Sequence, residues 1–189
     1  MANNRNIIST PILDIIDSVI SQEFLADNQE KIVESYIDGN GDVAVTECVI
    51  NDDNQNIAHS VYRFDTCGST DIFPFFKDRK GYKRMCDNIV LCETPSSLFV
   101  FAVELKDSVA SPREQLELSE QFLHFIIARM DLLEENFNKT VEIRKIGIKK
   151  RARFKTSEYK DMHFDSNHYL QLPDWRKLNL NMFVEMEVR

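Results

Sequence analysis

The chain has 189 residues, a formal net charge of −8 and a hydrophobic content of 43%. This length fits one domain over residues 1–189, and the apolar content is enough to fill its core. Five glycines and five prolines, with no Gly/Ser linker and no internal repeat, exclude extensive disorder and a solenoid. No apolar run approaches the ~20 residues that a membrane-spanning helix needs, so we expect no membrane partner.

The N-terminal segment and the cysteines indicate a cytoplasmic protein. Residues 1–11 lack the cationic region followed by an apolar stretch that marks a secretory signal. The four cysteines, Cys48, Cys67, Cys86 and Cys92, form no CxxC pair, which excludes a zinc ribbon. Reduced, largely buried thiols are typical of cytosolic proteins.

The first forty residues carry helix signals. Thr10 is a suitable N-cap, Pro11 suits the first helical position, and an apolar stripe of helical period begins at Ile12. These signals predict a helix that continues to about Leu25. A second short helix is predicted from Gln29 to Tyr36, before two glycines.

Two pairs of strands are predicted next. Residues 43–50 and 57–64 are strand-like runs separated by a polar turn, which predicts a hairpin. Residues 85–92 and 98–106 are joined by a short turn and should pair as antiparallel neighbours. The run 98–106 is apolar on both faces until its end, which is typical of a central strand covered on both sides.

A long helix and two further strands complete the predicted order. Ser111 and Pro112 begin a helix that should reach about Glu134. Its predicted buried stripe consists of apolar residues at helical spacing: Leu118, Phe122, Leu123, Phe125, Ile126, Ile127 and Met130. Alternating runs over 141–148 and 180–188 predict a strand and a last strand at a sheet edge. The sequence therefore predicts an α/β fold with a mixed central sheet flanked by helices.

Charged side chains end the predicted central strand. Glu104 and Lys106 are two residues apart and project from one face, while Leu105 points the other way. Antiparallel pairing with the preceding strand would bring Asp87 beside Glu104. Neighbouring carboxylates repel each other unless a cation lies between them, and Mg²⁺ prefers such oxygen ligands. The pattern predicts a metal site of Asp87, Glu104 and the carbonyl of Leu105, with Lys106 beside the attacking water.

This arrangement resembles the PD-(D/E)XK nuclease superfamily. The matching text is Cys86-Asp87-Asn88-Ile89-Val90-Leu91, then Phe101-Ala102-Val103-Glu104-Leu105-Lys106, then a long helix, with a cysteine where the motif has proline. The resemblance implies a restriction-endonuclease-like αβββαβ core with a C-terminal β extension. It also implies hydrolysis of phosphodiester bonds with Mg²⁺ or Mn²⁺, with Asp87 and Glu104 as metal ligands and Lys106 as the catalytic lysine.

The resemblance leaves two further positions open. Some members of the family add a glutamate from the first helix, for which Glu23, Glu30 and Glu34 are candidates. Some carry a glutamine on the helix that follows the lysine. Gln115 and Gln121 are the candidates, and Gln115 is favoured because it lies in the first turns of the predicted helix.

The predicted substrate is a nucleic acid, and DNA is favoured because the family acts mostly on DNA. Residues 144–155 carry seven positive charges and no negative charge, within an otherwise acidic chain. We expect Lys149, Lys150, Arg151 and Arg153 to contact phosphates there. The alternative is a solvated strand end that offsets the acidic remainder. The small size of the chain implies a homodimer or a subunit of a protein complex.

A different class of function stays open beside the enzyme. In that alternative, Glu104 and Lys106 form an edge ion pair, and Asp87 solvates the end of a strand. The chain is then a catalytically inactive, nuclease-like interaction module, or a subunit of a larger nucleic-acid-processing or phage-defence complex. The enzyme requires Lys106 beside both carboxylates, whereas the module does not.

Overall fold

The described residues form a mixed α/β arrangement of two sheets and three α-helices. The computed structural model describes residues 11–37, 43–51, 57–64, 72–77, 79, 81–106, 111–133, 139–149, 162–172 and 177–189. The helices are α1 (Ile12–Val19), α2 (Arg113–Leu133) and α3 (Leu180–Glu185), and a 3₁₀ helix follows α1 at Gln22–Phe24. The strands are β1 (Lys31–Ile37), β2 (Val43–Asn51), β3 (Ala58–Tyr62), β4 (Asn88–Glu93), β5 (Ser97–Lys106), β6 (Thr140–Lys149), β7 (Tyr169–Leu172) and β8 (Lys177–Asn179).

The larger sheet has five strands in the order β3-β4-β5-β6-β7. Strands β3, β4 and β5 are antiparallel neighbours, whereas β6 is parallel to β5 and β7 is parallel to β6. The smaller sheet has the order β1-β2-β8, with β1 antiparallel and β8 parallel to β2. No helix among the described residues is long and apolar enough to span a membrane.

Strand β5 lies at the centre of the core because both of its faces are covered. Phe99, Phe101, Val103 and Leu105 belong to a cluster shared with the smaller sheet and α3. The alternate residues, from Leu98 to Ala102, belong to a second cluster shared with α1 and α2. Glu104 and Lys106 continue this second face, so they lie on the side of the sheet that α2 covers.

The elements around β5 agree with the sequence analysis. The central strand, its antiparallel pairing with β4, the long helix α2 and the strand β6 all lie within a few residues of their predicted bounds. The hydroxyl of Ser111 accepts a hydrogen bond from the backbone of Arg113 at 3.3 Å, in agreement with its predicted role at the start of α2.

The first helix is shorter than predicted and ends at Val19 rather than near Leu25. Residues 24–26 instead run beside β3, where Arg63 donates its backbone N–H to the carbonyl of Phe24 and Ala26 donates to that of Val61. These backbone bonds to β3 require an extended chain at Leu25, so the helix cannot continue to this residue.

The predicted helix from Gln29 to Tyr36 is wrong, because this segment forms β1. It pairs with β2 along its whole length, from Lys31 opposite Val49 to Ile37 opposite Val43. The predicted hairpin of residues 43–50 and 57–64 is also wrong, because its two strands belong to different sheets. Strand β2 takes β1 as its antiparallel neighbour, while β3 joins the other sheet beside β4.

The predicted last strand over 180–188 is also wrong, since most of this segment forms α3. The side chain of Asn179 accepts a hydrogen bond from the backbone of Met182 at 3.0 Å and so caps the helix. Leu180 and Phe183, three residues apart, are the buried positions of this helix. The alternation of apolar and polar residues over 180–188 indicated a strand, so the capping role of Asn179 was not recognised from the sequence.

Most of the predicted buried stripe of α2 packs against the core, but two of its residues do not. Leu116, Ser119, Leu123 and Met130 are buried, whereas Leu118 and Phe125 of the predicted stripe are exposed to solvent. Leu123 and Met130 of the predicted stripe are buried, and Phe122, Ile126 and Ile127 are partly buried against the same cluster. Leu118 and Phe125 also have helical spacing, so periodicity alone could not separate them from the buried positions. The helix therefore carries large apolar side chains on its outer face as well.

Candidate active site

Asp87 and Glu104 lie side by side where β4 begins and β5 ends. The register pairs Asn88 with Val103, which brings Asp87 opposite Glu104. The backbone N–H of Asp87 donates to Oε2 of Glu104 at 3.0 Å, and the backbone N–H of Leu105 donates to Oδ2 of Asp87 at 2.8 Å. Each carboxylate is therefore fixed by a backbone amide of the neighbouring strand.

Lys106 completes the cluster from the same face of β5. Its ammonium forms an ion pair with Oε1 of Glu104. The side chain of Glu104 is 0% exposed, whereas that of Lys106 is 20% exposed and Asp87 is half-buried. The side chains of the cluster that reach solvent are thus those of Lys106 and Asp87, whereas Glu104 is covered.

Burial and charge set the protonation of this cluster. Burial and the nearby charge of Asp87 raise the pKa of Glu104 to about 8, against the opposing effect of Lys106. Burial acts against the charged form of Lys106. The hydrogen bond and charge of Glu104, with the charges of Asp87 and Glu34, nevertheless raise its pKa above the ordinary lysine value. Lys106 is therefore a cation in a group of acidic side chains.

Glu34 is the candidate among the three glutamates that the structure brings to this cluster. It lies on β1, and its charge acts on Lys106. The side chain of Asn88 reaches the carbonyl of Val33 at 3.5 Å, which connects β1 to the start of β4. Glu23 and Glu30 are exposed. The sequence analysis could not select Glu34 because it assigned this segment to a helix.

Gln115 lies next to the cluster and contacts the chain that leads into it. Its side-chain amide donates to the carbonyl of Met85 at 2.8 Å. One turn later, the buried hydroxyl of Ser119 accepts the backbone N–H of Cys86 at 2.7 Å. The first turns of α2 therefore position the two residues before Asp87. Ser119 was not predicted as a site residue, although a serine four residues after Gln115 within an apolar stripe was a usable signal.

The basic segment is not one continuous phosphate-binding face. Arg144 and Lys145 are buried and paired with acidic side chains, Arg144 with Glu142 and Lys145 with Glu120. The backbone of Lys149 lies beside that of Lys106 in the parallel register of β5 and β6. The other predicted contacts, Lys150, Arg151 and Arg153, lie outside the described residues.

Gly147 lets α2 pack directly against the sheet beside the cluster. It is the register neighbour of Glu104 on β6. A Cβ at this position would lie 2.6 Å from Cγ of Pro112 and 2.9 Å from the hydroxyl of Tyr169. Contacts this short require the start of α2 or strand β7 to move.

Gly147→Ala should therefore destabilise the protein by about 1–3 kcal/mol. Chemical denaturation monitored by circular dichroism measures this change. The matched control is Ala58→Ser, which also adds one heavy atom but at an exposed strand position, and it should change stability by less than about 0.5 kcal/mol. Equal stability of Gly147→Ala and the wild type would contradict the close packing.

The donor groups of the cluster fit a hard divalent cation. Among the described residues, no group of three or more His, Cys, Asp or Glu side chains is arranged to hold a metal ion. Mg²⁺, however, is commonly bound through one or two carboxylates together with water and substrate phosphates. A cation beside Asp87 and Glu104 would offset the repulsion that contributes to the raised pKa of Glu104.

Comparison with family models, with curated proteins and with solved structures finds no match for this chain. Its function is therefore inferred from the arrangement of Asp87, Glu104 and Lys106 itself.

Proposed function

We propose that the chain is a Mg²⁺- or Mn²⁺-dependent nuclease that hydrolyses phosphodiester bonds in DNA. The observation that carries this proposal is the contact network of Asp87, Glu104 and Lys106 at the adjoining ends of β4 and β5. Two carboxylates and one ammonium on one face of a sheet supply the charges that metal-assisted phosphodiester hydrolysis uses.

The order of elements supports a restriction-endonuclease-like core. Helix α1, the antiparallel strands β3, β4 and β5, helix α2 and the parallel strand β6 follow the αβββαβ order of the nuclease superfamily. Strands β1 and β2 are inserted after α1 and build the smaller sheet. The C-terminal extension contributes β7, β8 and α3, and is therefore not wholly β.

The residues of the cluster have separate roles in this proposal. Asp87 and Glu104 hold the cation, which when bound lowers the pKa of a coordinated water and draws charge from the scissile phosphate. The ammonium of Lys106, fixed by Glu104 on a partly exposed side chain, orients the water and offsets the negative charge that develops on the phosphate. Gln115 and Ser119 keep Asp87 in place through the backbone of Met85 and Cys86.

The test is a cleavage assay with the purified chain and Mg²⁺ or Mn²⁺ on plasmid, linear and single-stranded DNA and on RNA. We expect products from DNA that require the divalent ion and disappear when it is chelated. A chain that cleaves none of these substrates with either ion, while its circular dichroism is that of a folded protein, would contradict the proposal.

A non-catalytic interaction module is the second candidate, and the complete burial of Glu104 favours it. Oε2 of Glu104 accepts the backbone N–H of Asp87, and Oε1 forms the ion pair with Lys106. These two contacts are enough for a purely structural role, in which Glu104 connects the start of β4 to the end of β5. Calorimetric titration with Mn²⁺ separates the two functions, because the enzyme binds the ion and the Asp87→Asn variant binds it more weakly, whereas the module binds none.

The basic residues at the end of β6 give a prediction about affinity. Reversing the charges of Lys149, Lys150 and Arg151 should weaken DNA binding and flatten its dependence on salt. Each lost phosphate contact reduces the slope of log affinity against log salt by about 0.9, so the triple variant should lose up to about 3. Fluorescence anisotropy over a salt series measures the slope.

The control for that experiment is a triple reversal at exposed basic residues elsewhere: Lys77, Lys177 and Arg189. It changes the net charge of the chain by the same amount, so it separates local contacts from a general effect of charge. Equal slopes for the two triple variants would remove the end of β6 from the proposed DNA contact.

A further inference from the structure

Helix α2 carries two apolar stripes on opposite faces, and the described residues of the chain cover only one of them. Leu116, Leu123 and Met130 follow at steps of seven residues and are buried against the sheet. A second stripe, the outer stripe, consists of Leu118, Phe125 and Leu132 at the same steps and is exposed. Seven residues are close to two helical turns, so each stripe runs straight along the helix. Phe125 is 59% exposed and Leu132 is 83% exposed.

Aromatic side chains extend this outer surface beside the first half of α2. A groove of about 660 Å³ lies between α2 and residues 72–76 and 81–84, and Phe75, Phe76 and Tyr82 are among its lining residues. Phe73 holds this segment against α2, because its ring packs edge-on against Phe122 with the ring centroids 5.3 Å apart. A second groove, of about 460 Å³, lies beyond Phe122 and reaches the end of α2.

The exposed apolar area on this side is large for a monomer. Eleven large hydrophobic side chains are exposed among the described residues, and eight of them lie on this surface: Val19, Phe75, Phe76, Tyr82, Leu118, Phe125, Leu132 and Leu133. At about 200 Å² for a fully exposed large side chain, their exposed fractions amount to roughly 900 Å². Monomers rarely expose apolar patches above about 300–600 Å², whereas a standard interface buries about 800 Å² on each partner.

The charges on this surface favour a copy of the same chain as the partner. Glu114 lies near the start of α2 and Arg129 near its end, and both are exposed. Two antiparallel α2 helices that cross near Gln121 and Phe122 would pair Leu118 with Phe125 and Glu114 with Arg129. The twofold symmetry of a homodimer repeats each of these contacts. A nucleic acid is a poorer partner, since α2 carries more acidic than basic residues.

We propose that the outer face of α2 and the aromatic segment beside it form a homodimer interface, with the two α2 helices antiparallel. The far end of α2 in one copy, with Leu132 and Leu133, then enters the groove beside Phe75 and Phe76 of the other. The surface is self-complementary because each copy offers both the groove and the helix end. This inference does not rest on the proposed function, so a variant without cleavage activity should still dimerise.

Analytical ultracentrifugation of the full chain over a range of concentrations tests the interface. The wild type should sediment as a dimer, and Phe125→Glu should raise the dimer dissociation constant at least ~30-fold. Val45→Glu is the matched control, because Val45 is 55% exposed on β2, outside the proposed interface, and it should leave the constant unchanged. A wild type that stays monomeric at all concentrations, or a dimer that Phe125→Glu leaves intact, would overturn the proposal.

A charge exchange tests the antiparallel register separately. Glu114→Arg should weaken the dimer about tenfold because it places two cations together at both ends of the interface. The double variant Glu114→Arg, Arg129→Glu restores opposite charges and should return the dissociation constant to near the wild-type value. Thermal unfolding followed by circular dichroism confirms that each variant is folded. A double variant that dimerises no better than Glu114→Arg would overturn the antiparallel pairing.

Discussion

Lys106→Met should reduce DNA cleavage by about a thousandfold or more while leaving DNA binding nearly unchanged. Methionine replaces the aliphatic part of the lysine side chain but supplies no positive charge. The ammonium is expected to orient the attacking water and to stabilise charge on the phosphate, and removal of such groups costs on the order of 10²–10⁴ in rate. Single-turnover cleavage assays with Mn²⁺ measure the rate, and fluorescence anisotropy measures the binding.

Lys106→Met also breaks a buried ion pair, so its control has to break a similar pair outside the site. Lys139 is suitable because it pairs with Glu93, and its side chain is 19% exposed against 20% for Lys106. Lys106→Met and Lys139→Met should both lose stability, but only Lys106→Met should lose cleavage at temperatures where both variants are folded. Equal rates for the two variants would contradict a catalytic role of Lys106.

Asp87→Asn probes the same step through the predicted metal ligand. The amide oxygen of asparagine can still accept the backbone N–H of Leu105, so the connection between β4 and β5 is retained. The lost charge weakens metal binding, and cleavage should fall by about a hundredfold or more. A partial recovery at high Mn²⁺ concentration is expected for a metal ligand. Undiminished activity in both Asp87→Asn and Lys106→Met would place the chemistry elsewhere.

The candidate site was predictable because it depends on local pattern and on one short connection. A wholly apolar strand that ends in Glu104 and Lys106 indicates a central strand reaching solvent. The short turn before it, at residues 94–96, leaves antiparallel pairing as the simple connection. Glu34, which the sequence left as one of three candidates, reaches the site through the smaller sheet, and Ser119, which the sequence did not reveal, reaches it through the packing of α2. Such contacts depend on tertiary structure rather than on spacing.

The errors in the fold have a common physical cause, which is competition between weak local signals and long-range partners. Residues 29–36 have apolar side chains compatible with a helix, but pairing with β2 satisfies their backbone groups in a strand. At residues 180–188 the alternation suggests a strand, yet the cap at Asn179 and the buried Leu180 and Phe183 favour a helix. In both cases burial against distant residues decides the structure.

The roles of the basic residues in segment 144–155 also depend on tertiary contacts that the sequence does not reveal. A run of positive residues on a strand alternates between its two faces, so only some of them can meet a phosphate. Arg144 points into the core, where its guanidinium lies between the rings of Phe99 and Phe164, 4.7 and 5.0 Å from their centroids. Lys145 points to the other face and pairs with Glu120 of α2. These two residues stabilise the fold and are not available to a substrate.

Arg144 holds the C-terminal helix against the larger sheet. Its guanidinium donates to the carbonyl of Phe183 and to that of Met186, the latter at 3.1 Å, and pairs with Glu142 at 2.7 Å. Carbonyl groups at a helix C-terminus lack intrahelical donors and carry partial negative charge. A buried guanidinium there supplies the missing hydrogen-bond donors and a compensating positive charge. Arg144→Met would leave these carbonyls and Glu142 without that partner in a largely buried setting.

Arg144→Met should therefore destabilise the protein by about 3–5 kcal/mol, as expected when one member of a buried charged network is removed. Arg189→Met is the matched control, because Arg189 makes a comparable pair with Glu187 at the surface, and it should change stability by less than about 1 kcal/mol. Urea denaturation measures both values. If the two variants lost similar stability, the contacts of Arg144 with α3 would not be what holds this helix on the sheet.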